Sequence, residues 1–305
     1  MKKWTKEEDT FIKKNYPQKD ITTLSGKLNV TYQQLRNRML KLGIDISKND
    51  NIPNILVFDI ETAPMEVYTW GLYDQNIGIN QIKHDWFVLC WSAKWLFDDQ
   101  VITGVLNKKE LLEKDDKRII EKIWRLFEKA DIIIAHNGDR FDIAKLKARF
   151  LKYRMGEPSP YKTIDTLKVA RKEFKLTSNK LDYICQYLEL DKKLETGGFE
   201  LWKRCVNGDT TALKDMDEYC QNDVRILEDL YLELRPYIKN HPNLALYMES
   251  IYELCPNCGS DKLKWGYHYK TRVNQYDCAK CQDCGAFMRA RKSNLDKDKK
   301  SLLLT

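Results

Sequence analysis

Long apolar runs are missing from this chain of 305 residues: none reaches the roughly 18 residues that a membrane-spanning helix needs. Its first residues, MKKWTKEED, also lack an apolar stretch after the lysines, so they do not have the pattern of a secretion signal. We therefore expect no membrane span and a cytoplasmic location. The nine cysteines are an odd number and five fall within residues 255–284, which predicts reduced thiols and a metal cluster rather than a disulfide scaffold.

Positive charge is concentrated at the two ends of the chain. Residues 1–50 contain 11 Lys and Arg against 6 Asp and Glu, and residues 255–305 contain 11 against 5, within a net charge of +7 for the whole chain. The residues between are therefore net acidic. Basic ends around an acidic centre favour nucleic-acid-binding modules attached to a metal-dependent body, and the alternative is lysine-rich surfaces that only keep the protein in solution.

Acidic side chains follow two predicted strands. The segment FDIET contains Asp59 and Glu61 directly after an apolar run, Ile52 to Phe58, that predicts a buried strand. Residues two apart on a strand share a face, so both carboxylates point the same way. The segment HNGDRFD ends in Asp142, where the predicted strand Ile132 to Ala135 has given way to a helix. Both segments thus supply candidate metal ligands.

A third acidic segment, YCQNDV, contains Tyr219 and Asp223 within a long helical pattern. Residues four apart on a helix share a face. Four carboxylates brought together from the three segments would not all stay ionised without cations between them. Two divalent metal ions about 4 Å apart are the usual solution, and they clamp both sides of an in-line phosphoryl displacement.

These three segments resemble the motifs of the DEDD superfamily of 3′→5′ exonucleases, whose members have a ribonuclease H-like fold. One branch of that superfamily has a catalytic histidine five residues before the last Asp, and this chain has Glu218 in that place. The other branch has a tyrosine four residues before it, which matches Tyr219. The chain therefore resembles the DEDDy type and is similar to the proofreading exonuclease domain of family B DNA polymerases, over residues 52 to 240.

The resemblance implies two Mg²⁺ or Mn²⁺ ions and a role for each catalytic residue. Asp59 would bridge both ions, and Glu61 and Asp223 would complete the site that activates the attacking water. Asp142 would help to hold the second ion, which steadies the leaving 3′-oxygen. Tyr219 would orient the water through its hydroxyl, since an unperturbed pKa near 10 makes it a poor free base at neutral pH.

The order of predicted elements favours an α/β fold. We expect strands at Trp86 to Ala93 and Gln100 to Leu106, a helix at Glu110 to Lys129, and a further strand at Ile132 to Ala135. The segments YKTIDTL and SNKLDYICQYL predict further helices. This order suits a ribonuclease H-like mixed sheet flanked by helices.

Two neighbours of the acidic segments are candidates for substrate contact. Asn137 either contacts the substrate strand or caps the turn before the helix, and the sequence leaves both open. The segment KKLETGGFELWKR, with Gly198 and Trp202, mixes basic and aromatic residues in a way that suits a single nucleic-acid strand. A solvated loop is the alternative for this segment.

The N-terminal residues predict a small three-helix module. Thr5 and Glu8 have the spacing of a capping box, a second helix fits Asp20 to Leu28, and a third ends at Gly43. The module resembles Myb/SANT-like and other helix-turn-helix domains, although Trp4 is its only tryptophan. The outward side chains suited to base edges and phosphates are Gln33, Gln34, Arg36, Asn37, Arg38 and Lys41. A protein-binding three-helix unit is the alternative.

Two Cys-x-x-Cys-Gly segments, CPNCGS and CQDCGAF, predict one structural Zn²⁺ near the C-terminus. Its four thiolate ligands are expected to be Cys255, Cys258, Cys281 and Cys284. Cys278 and Cys281 form an alternative Cys-x-x-Cys pair, but no glycine follows Cys281. Cys278 is therefore expected to be the one cysteine of the five that does not bind the metal. Four thiolates leave the metal no open position for chemistry, and a segment of this size depends on the metal to fold.

The cysteine segment resembles a zinc ribbon, a fold that binds either nucleic acid or protein. Side chains that could form a nucleic-acid face are Tyr267, Tyr269, Lys270, Arg272, Arg289 and Arg291. The sequence does not decide between the two kinds of partner.

We therefore predict a helix-turn-helix-like module at 1–45, a linker at 46–54, an exonuclease domain at 55–245, a zinc ribbon at 250–292 and a basic tail at 293–305. The predicted activity is metal-dependent 3′→5′ exonuclease hydrolysis of terminal phosphodiester bonds in DNA. Alternatives are an RNA exonuclease and a non-enzymatic DNA-binding regulator that uses the nuclease core as a scaffold. The expected partner is nucleic acid, DNA rather than RNA, and a polymerase or another replication or repair protein is a further candidate.

Overall fold

The computed structural model describes residues 4–16, 21–30, 35, 38, 39, 41–44, 53–190 and 197–304. The chain divides into two compact units, one of residues 54–231 and the other of residues 1–53 together with residues 232–305. Residues after Tyr231 belong with the cysteine segment because they bond to it: the Asn257 amide donates to Arg235 O (2.9 Å), and Leu244 N–H donates to Pro256 O (2.8 Å). The predicted boundary at residue 245 lies beyond this division. In the described part of the chain, no helix is long and apolar enough to cross a membrane.

Local sequence signals set the first two helices. Helix α1 (Lys6–Asn15) begins after Thr5, whose hydroxyl accepts from Glu8 N–H (3.2 Å) while the Glu8 carboxylate accepts from Thr5 N–H (3.0 Å). The predicted capping box is therefore present. Helix α2 spans Ile21–Leu28. Most of the predicted third helix lies outside the described residues. The buried apolar side chains of this module are Ile12, Tyr16, Leu24, Val30, Leu35 and Met39.

A mixed sheet forms the centre of the 54–231 unit. The strands of this unit are β1 (Ile55–Thr62), β2 (Glu66–Val67), β3 (Ile82–His84), β4 (Val88–Trp95), β5 (Ile102–Val105), β6 (Ile132–Ala135) and β7 (Lys162–Asp165). Five of them form one sheet in the order β5–β4–β1–β6–β7, and β2 pairs with β3. Strand β1 is antiparallel to β4 and parallel to β6. Such a mixed sheet is the predicted ribonuclease H-like arrangement.

Helices flank this sheet. They are α3 (Lys108–Glu113), α4 (Lys117–Phe127), α5 (Asp142–Lys152), α6 (Thr166–Glu173), α7 (Leu181–Tyr187), α8 (Phe199–Val206) and α9 (Thr210–Leu234). Aromatic packing ties helix to sheet: the Phe58 and Phe127 rings meet edge to face, 5.0 Å apart. On the neighbouring strands Trp91 faces Gly104, where an added Cβ would lie 2.4 Å from the indole, so only glycine fits.

Two predicted helical segments differ from the structure. The predicted helix Glu110 to Lys129 is two helices, because Lys114 adopts a left-handed backbone conformation (φ 53°) that ends α3. The segment YKTIDTL opens with strand β7, which pairs in parallel with β6, before α6 begins at Thr166. Thr163 and Ile164 are β-branched and favour the strand, and this signal was missed.

A second, smaller sheet lies near the C-terminus. It consists of β8 (Leu263–Lys270), β9 (Gln275–Cys281) and β10 (Phe287–Arg289), antiparallel in the order β10–β9–β8. Its small apolar core is built from Cys255, Cys281 and Ala286. One short helix, α10 (Lys297–Ser301), follows. A core of this size needs a metal or another covalent or ionic support to be stable.

Candidate active site

Three carboxylates from two elements meet at the end of β1. Oxygen atoms of Asp59, Glu61 and Asp223 all lie within 4.8 Å of one another. Asp59 and Glu61 alternate with Ile60 on β1, which buries Ile60 (2% exposed) on the other side of the strand. The predicted strand stopped at Phe58, whereas β1 continues to Thr62, so both acids lie within the strand.

On one side, this end of β1 has no neighbouring strand. Strand β6 pairs only with Ile55 to Val57, whereas β4 pairs along β1 from Leu56 to Thr62. The carboxylates at residues 59 and 61 therefore lie beyond the last β6 pairing. An edge left open in this way is where α/β proteins place ligand sites.

Asp223 and Tyr219 lie on helix α9, which packs against β1. These two residues are one helical turn apart, and both are buried, at 3% and 8% exposed. Between them, the Cys220 thiol lies 3.7 Å from Asp59 Oδ2 and 3.5 Å from Asp59 O, which shows that α9 packs directly on β1. The Tyr219 ring also meets the Trp202 ring edge to face, at 6.2 Å.

Asp142 contacts β1 at Ile60, the residue between Asp59 and Glu61, but it does not belong to the group of three carboxylates. Its Oδ1 accepts a hydrogen bond from Ile60 N–H (3.3 Å), on the side of β1 that β6 no longer covers. Burial, the largest cause, raises the pKa of the Asp142 carboxyl to about 7, and the Asp165 carboxylate raises it by a smaller amount. A cation close to this carboxyl would favour its ionised form.

Asn137 uses its backbone to form the turn before α5. Its φ is 66°, its carbonyl accepts from Phe141 N–H (3.0 Å), and its N–H donates to Asp165 Oδ1 (2.9 Å). The next residue, Gly138, lies so close to Ala135 that a Cβ would be 2.3 Å from the alanine Cβ. These contacts fit the turn-forming alternative for Asn137, and substrate contact stays a prediction.

A pocket of about 610 Å³ lies next to the end of β1. It is lined by Thr62, Ala63, Pro64, Met65, Trp86, Lys145, Gly198, Phe199 and Trp202. The Lys145 ammonium lies 3.8 Å from the centre of the Trp86 ring, and burial lowers the pKa of Lys145. Gly198 and Trp202 were expected to line a nucleic-acid path. Trp86 and Lys145 were missed, because only the folded chain brings the loop before β4 next to α5.

The four predicted zinc ligands converge. Their sulfur atoms all lie within 4.8 Å of one another, with Cys255 and Cys284 3.6 Å apart and Cys258 and Cys281 3.6 Å apart. Zn–S bonds of about 2.3 Å in a tetrahedron place sulfurs roughly 3.8 Å apart, so the four thiols fit Zn²⁺. The glycines after each pair, Gly259 and Gly285, have φ of 75° and 78°, a conformation that lets the two turns close.

The predicted DNA-contacting residues of the N-terminal module are only partly described. Gln33, Gln34, Arg36 and Asn37 lie outside the described residues. Arg38 is bound within the module, since its Nε and Nη2 donate to the two carboxylate oxygens of Asp9 at 2.7 and 2.5 Å. This pair lowers the pKa of Asp9. Lys41 is exposed.

The mixed sheet with its flanking helices is a ribonuclease H-like fold. In agreement, the model of a family described as "RNase_H superfamily" matches residues 91–235, a range that contains Asp142, Tyr219 and Asp223 but not Asp59 or Glu61. The chain is also similar to a DNA polymerase III PolC-type of Ureaplasma parvum serovar 3 (strain ATCC 700970), with 38% identity over 156 residues. The match covers 47% of this chain and 10% of that polymerase, so the chain spans about a tenth of its relative. Both matches support a nuclease fold.

Proposed function

We propose that the protein is a metal-dependent 3′→5′ exonuclease of the DEDDy type that hydrolyses terminal phosphodiester bonds of DNA. The observation that carries the proposal is the convergence of Asp59, Glu61 and Asp223 within 4.8 Å, from a strand and a helix that lie far apart in sequence. Three carboxylates at such distances repel one another unless cations lie between them. Oxygen-only ligand sets of this kind suit Mg²⁺ and Mn²⁺.

In this proposal the acidic residues hold two divalent cations, which would supply positive charge to the phosphate and lower the pKa of the attacking water. Asp59, Glu61, Asp223 and Asp142 are the residues that would hold them. Tyr219, a helical turn from Asp223, would orient the water through its hydroxyl. The raised pKa of Asp142 is consistent with a group that gives up its proton when a cation binds.

The pocket beside β1 suits the terminal nucleoside of a strand. Its volume falls in the range of small-molecule sites, and Trp86, Phe199 and Trp202 present apolar rings. Rings of this kind stack on unpaired bases. Lys145, at the Trp86 ring, would place a positive charge near the phosphate. The contact between the Trp202 and Tyr219 rings links this pocket to the proposed catalytic residues.

DNA is the proposed substrate because the matched relative is a DNA polymerase and the N-terminal module resembles DNA-binding helix-turn-helix domains. RNA is the alternative, since the same chemistry cuts both backbones. The proposed partners are nucleic acid and a polymerase or another replication or repair protein. The four cysteines would hold one structural Zn²⁺ apart from the chemistry.

A cleavage assay tests the proposal. Single-stranded DNA, duplex DNA and RNA, each labelled at the 5′ end, are incubated with the full chain in Mg²⁺, in Mn²⁺ and in EDTA. We expect a ladder that shortens from the 3′ end of DNA, disappears in EDTA and returns when Mg²⁺ is restored. Asp59→Ala and Asp223→Ala should abolish it without unfolding the chain. Asp139→Ala, which removes a nearby acid paired with Lys168 at the surface, is the matched control. Full cleavage by both active-site variants would exclude this mechanism.

A non-enzymatic regulator that retains the fold as a scaffold is the rival. Titration with Mn²⁺ separates the two: an enzyme binds the ion at the acidic cluster, and Asp223→Ala abolishes that binding. A scaffold binds Mn²⁺ weakly in both wild type and variant.

A further inference from the structure

One face of the C-terminal sheet carries aromatic and basic side chains and no acidic ones. Directly opposed residues in an antiparallel sheet share a face, so the register of β8, β9 and β10 assigns each side chain. On one side the register places Lys264, Tyr267, Tyr269, Tyr276, Cys278, Lys280, Phe287 and Arg289. We call this side the aromatic face. It includes a small irregularity at Gly266, between Trp265 and Tyr267, where the register shifts by one residue.

The opposite side of the same sheet packs against the small core of the module. Leu263, Cys281 and Met288 lie there and pack in the small core around the zinc ligands. Further along, His268 pairs with Asp277 at 3.3 Å. The aromatic face is therefore the side of this sheet that does not pack on that core; on the opposite side Trp265 is also partly exposed, at 39%. Lys270, a sequence-based candidate for nucleic-acid contact, lies on the opposite side.

The rings on the aromatic face are held in place and remain exposed. Tyr267 and Phe287 meet edge to face at 5.1 Å across the middle strand. The Arg289 guanidinium lies 4.1 Å from the centre of the Tyr276 ring, and the Lys280 ammonium lies 5.6 Å from that of Phe287. Exposure reaches 60% for Phe287, so its ring is available to another molecule.

We propose that the aromatic face of β8, β9 and β10 binds a single strand of DNA by stacking its bases on Tyr267, Tyr269 and Phe287 and holding its phosphates with Lys280 and Arg289. Exposed rings next to cations, with no carboxylate on the face, match a ligand that is flat and apolar in its bases and negative in its backbone. Duplex DNA hides the faces of its bases. Protein-binding surfaces are depleted of charge at their centre, whereas this face has cations among its rings.

The dimensions of the sheet agree with this ligand. Strand β8 has eight residues, which span roughly 26 Å at 3.3 Å per residue, and that length suits about four nucleotides. The choice of DNA rests on the proposed function, since ring stacking alone also accepts RNA. The residues of the aromatic face would bind the strand and take no part in cutting it.

Binding is measured with the full chain carrying Asp59→Ala, so that the strand is not cut, by fluorescence anisotropy of a long 5′-labelled oligothymidylate. Tyr269→Ala and Phe287→Ala should each weaken binding about ten-fold, the usual effect of removing one stacking ring. Lys280→Ala should lower the slope of log affinity against log salt by about one, and Lys270→Ala, the matched charge on the opposite side, should leave it unchanged. Tyr269 is the decisive position because its ring is half exposed, so its removal disturbs the packing of the sheet little. Unchanged zinc content and melting temperature would show that the Tyr269→Ala variant is folded.

Competition with unlabelled nucleic acids identifies the kind of strand that the aromatic face binds. Unlabelled single-stranded DNA should displace the probe, and duplex DNA and RNA should compete at least ten-fold more weakly. Equal competition by RNA or duplex would overturn the assignment to single-stranded DNA, and unchanged affinity of Tyr269→Ala and Phe287→Ala would overturn the surface itself.

Cleavage of single-stranded DNA by chains that keep Asp59 separates this proposal from the proposed function. Lys270→Ala should cut the strand like wild type, whereas Tyr269→Ala should need a higher strand concentration for half-maximal cleavage. If wild type cuts no strand at all, the proposed function fails, while the binding measurement still decides whether the aromatic face binds DNA.

Discussion

The backbone N–H of Ile60 donates a hydrogen bond to Oδ1 of Asp142 at 3.3 Å. This bond joins strand β1 to the start of helix α5 at the point where β6 no longer pairs with β1. A backbone donor buried there needs an acceptor, and the carboxylate supplies it. Asp142 thus has a structural contact in addition to its proposed part in metal binding.

Substitutions at Asp142 separate the two roles. Asp142→Asn keeps an acceptor for Ile60 N–H, so we expect it to fold nearly as well as wild type and to lose cleavage by roughly a hundred-fold or more. Asp142→Ala also leaves the N–H without a partner and should cost a further 1–3 kcal/mol or so of unfolding free energy. Urea unfolding and the cleavage assay measure the two effects. Equal stability of both variants would show that the hydrogen bond contributes nothing.

Tyr219 offers a test of the DEDDy assignment. Tyr219→Phe removes only the hydroxyl and keeps the ring that meets Trp202. If the hydroxyl orients the attacking water, the rate constant should fall about 100-fold while affinity for the strand stays the same. Tyr231→Phe, on the same helix and fully buried, is the control. Single-turnover kinetics distinguish a slower chemical step from weaker binding, and an unchanged rate would remove Tyr219 from the mechanism.

Lys94 and Glu228 form a buried ion pair that fixes helix α9 on strand β4. Glu228 also accepts from Phe97 N–H at 2.6 Å. Lys94→Met leaves a buried carboxylate without its cation, so we expect a loss of about 3–5 kcal/mol in unfolding free energy. Adding Glu228→Gln removes the charge and keeps an acceptor for Phe97, so the double variant should be more stable than Lys94→Met alone. Denaturant unfolding of wild type, Lys94→Met and the double variant measures these free energies. A double variant less stable than Lys94→Met would argue against a coupled pair.

The strand and helix periods of the sequence predicted the parts of this site that depend on local structure. Asp59 and Glu61 share a strand face and Tyr219 and Asp223 share a helix face, because those spacings follow from backbone geometry. The cysteine pairs were predictable for the same reason: two short turns with glycine after each pair restrict the sulfurs to one place.

Contacts between distant segments were not predictable in this way. Trp86 and Lys145 come together only when the loop before β4 packs against α5, and no periodic pattern in the sequence indicates that contact. The break between α3 and α4 depends on Lys114, whose left-handed backbone no residue preference indicates. Strand β7 was missed because Thr163 and Ile164 lie in a segment of four residues, too short for its period to stand out.

His241 should make the protein less stable in acid. Burial lowers the pKa of this imidazole to about 4, below its ordinary value, and its Nδ1 is hydrogen-bonded to Pro242 O. The unfolded chain therefore binds a proton that the folded chain does not, and stability falls as the pH drops from about 6.5 to 4, by up to about 3 kcal/mol. His241→Asn keeps a donor but cannot titrate, so its unfolding free energy should change less over this range. His268→Asn, at an exposed position, is the control, and parallel curves for His241→Asn and wild type would contradict the assignment.

The zinc prediction depends on which cysteine belongs to the site. Cys278 and Cys281 are three residues apart on β9, so their side chains leave the sheet on opposite sides. Cys281 faces the core that contains Cys255, whereas the Cys278 thiol lies 3.8 Å from Tyr276 O and beneath the aromatic face. Cys281→Ser should therefore release the metal and unfold the small sheet, because the bound ion supplies most of the folding free energy of such a segment. Cys278→Ser should retain one Zn²⁺ per chain, measured by atomic emission, with an unchanged near-ultraviolet circular dichroism spectrum. Loss of zinc from both variants would place Cys278 among the ligands, and retention in both would show that three thiolates are enough.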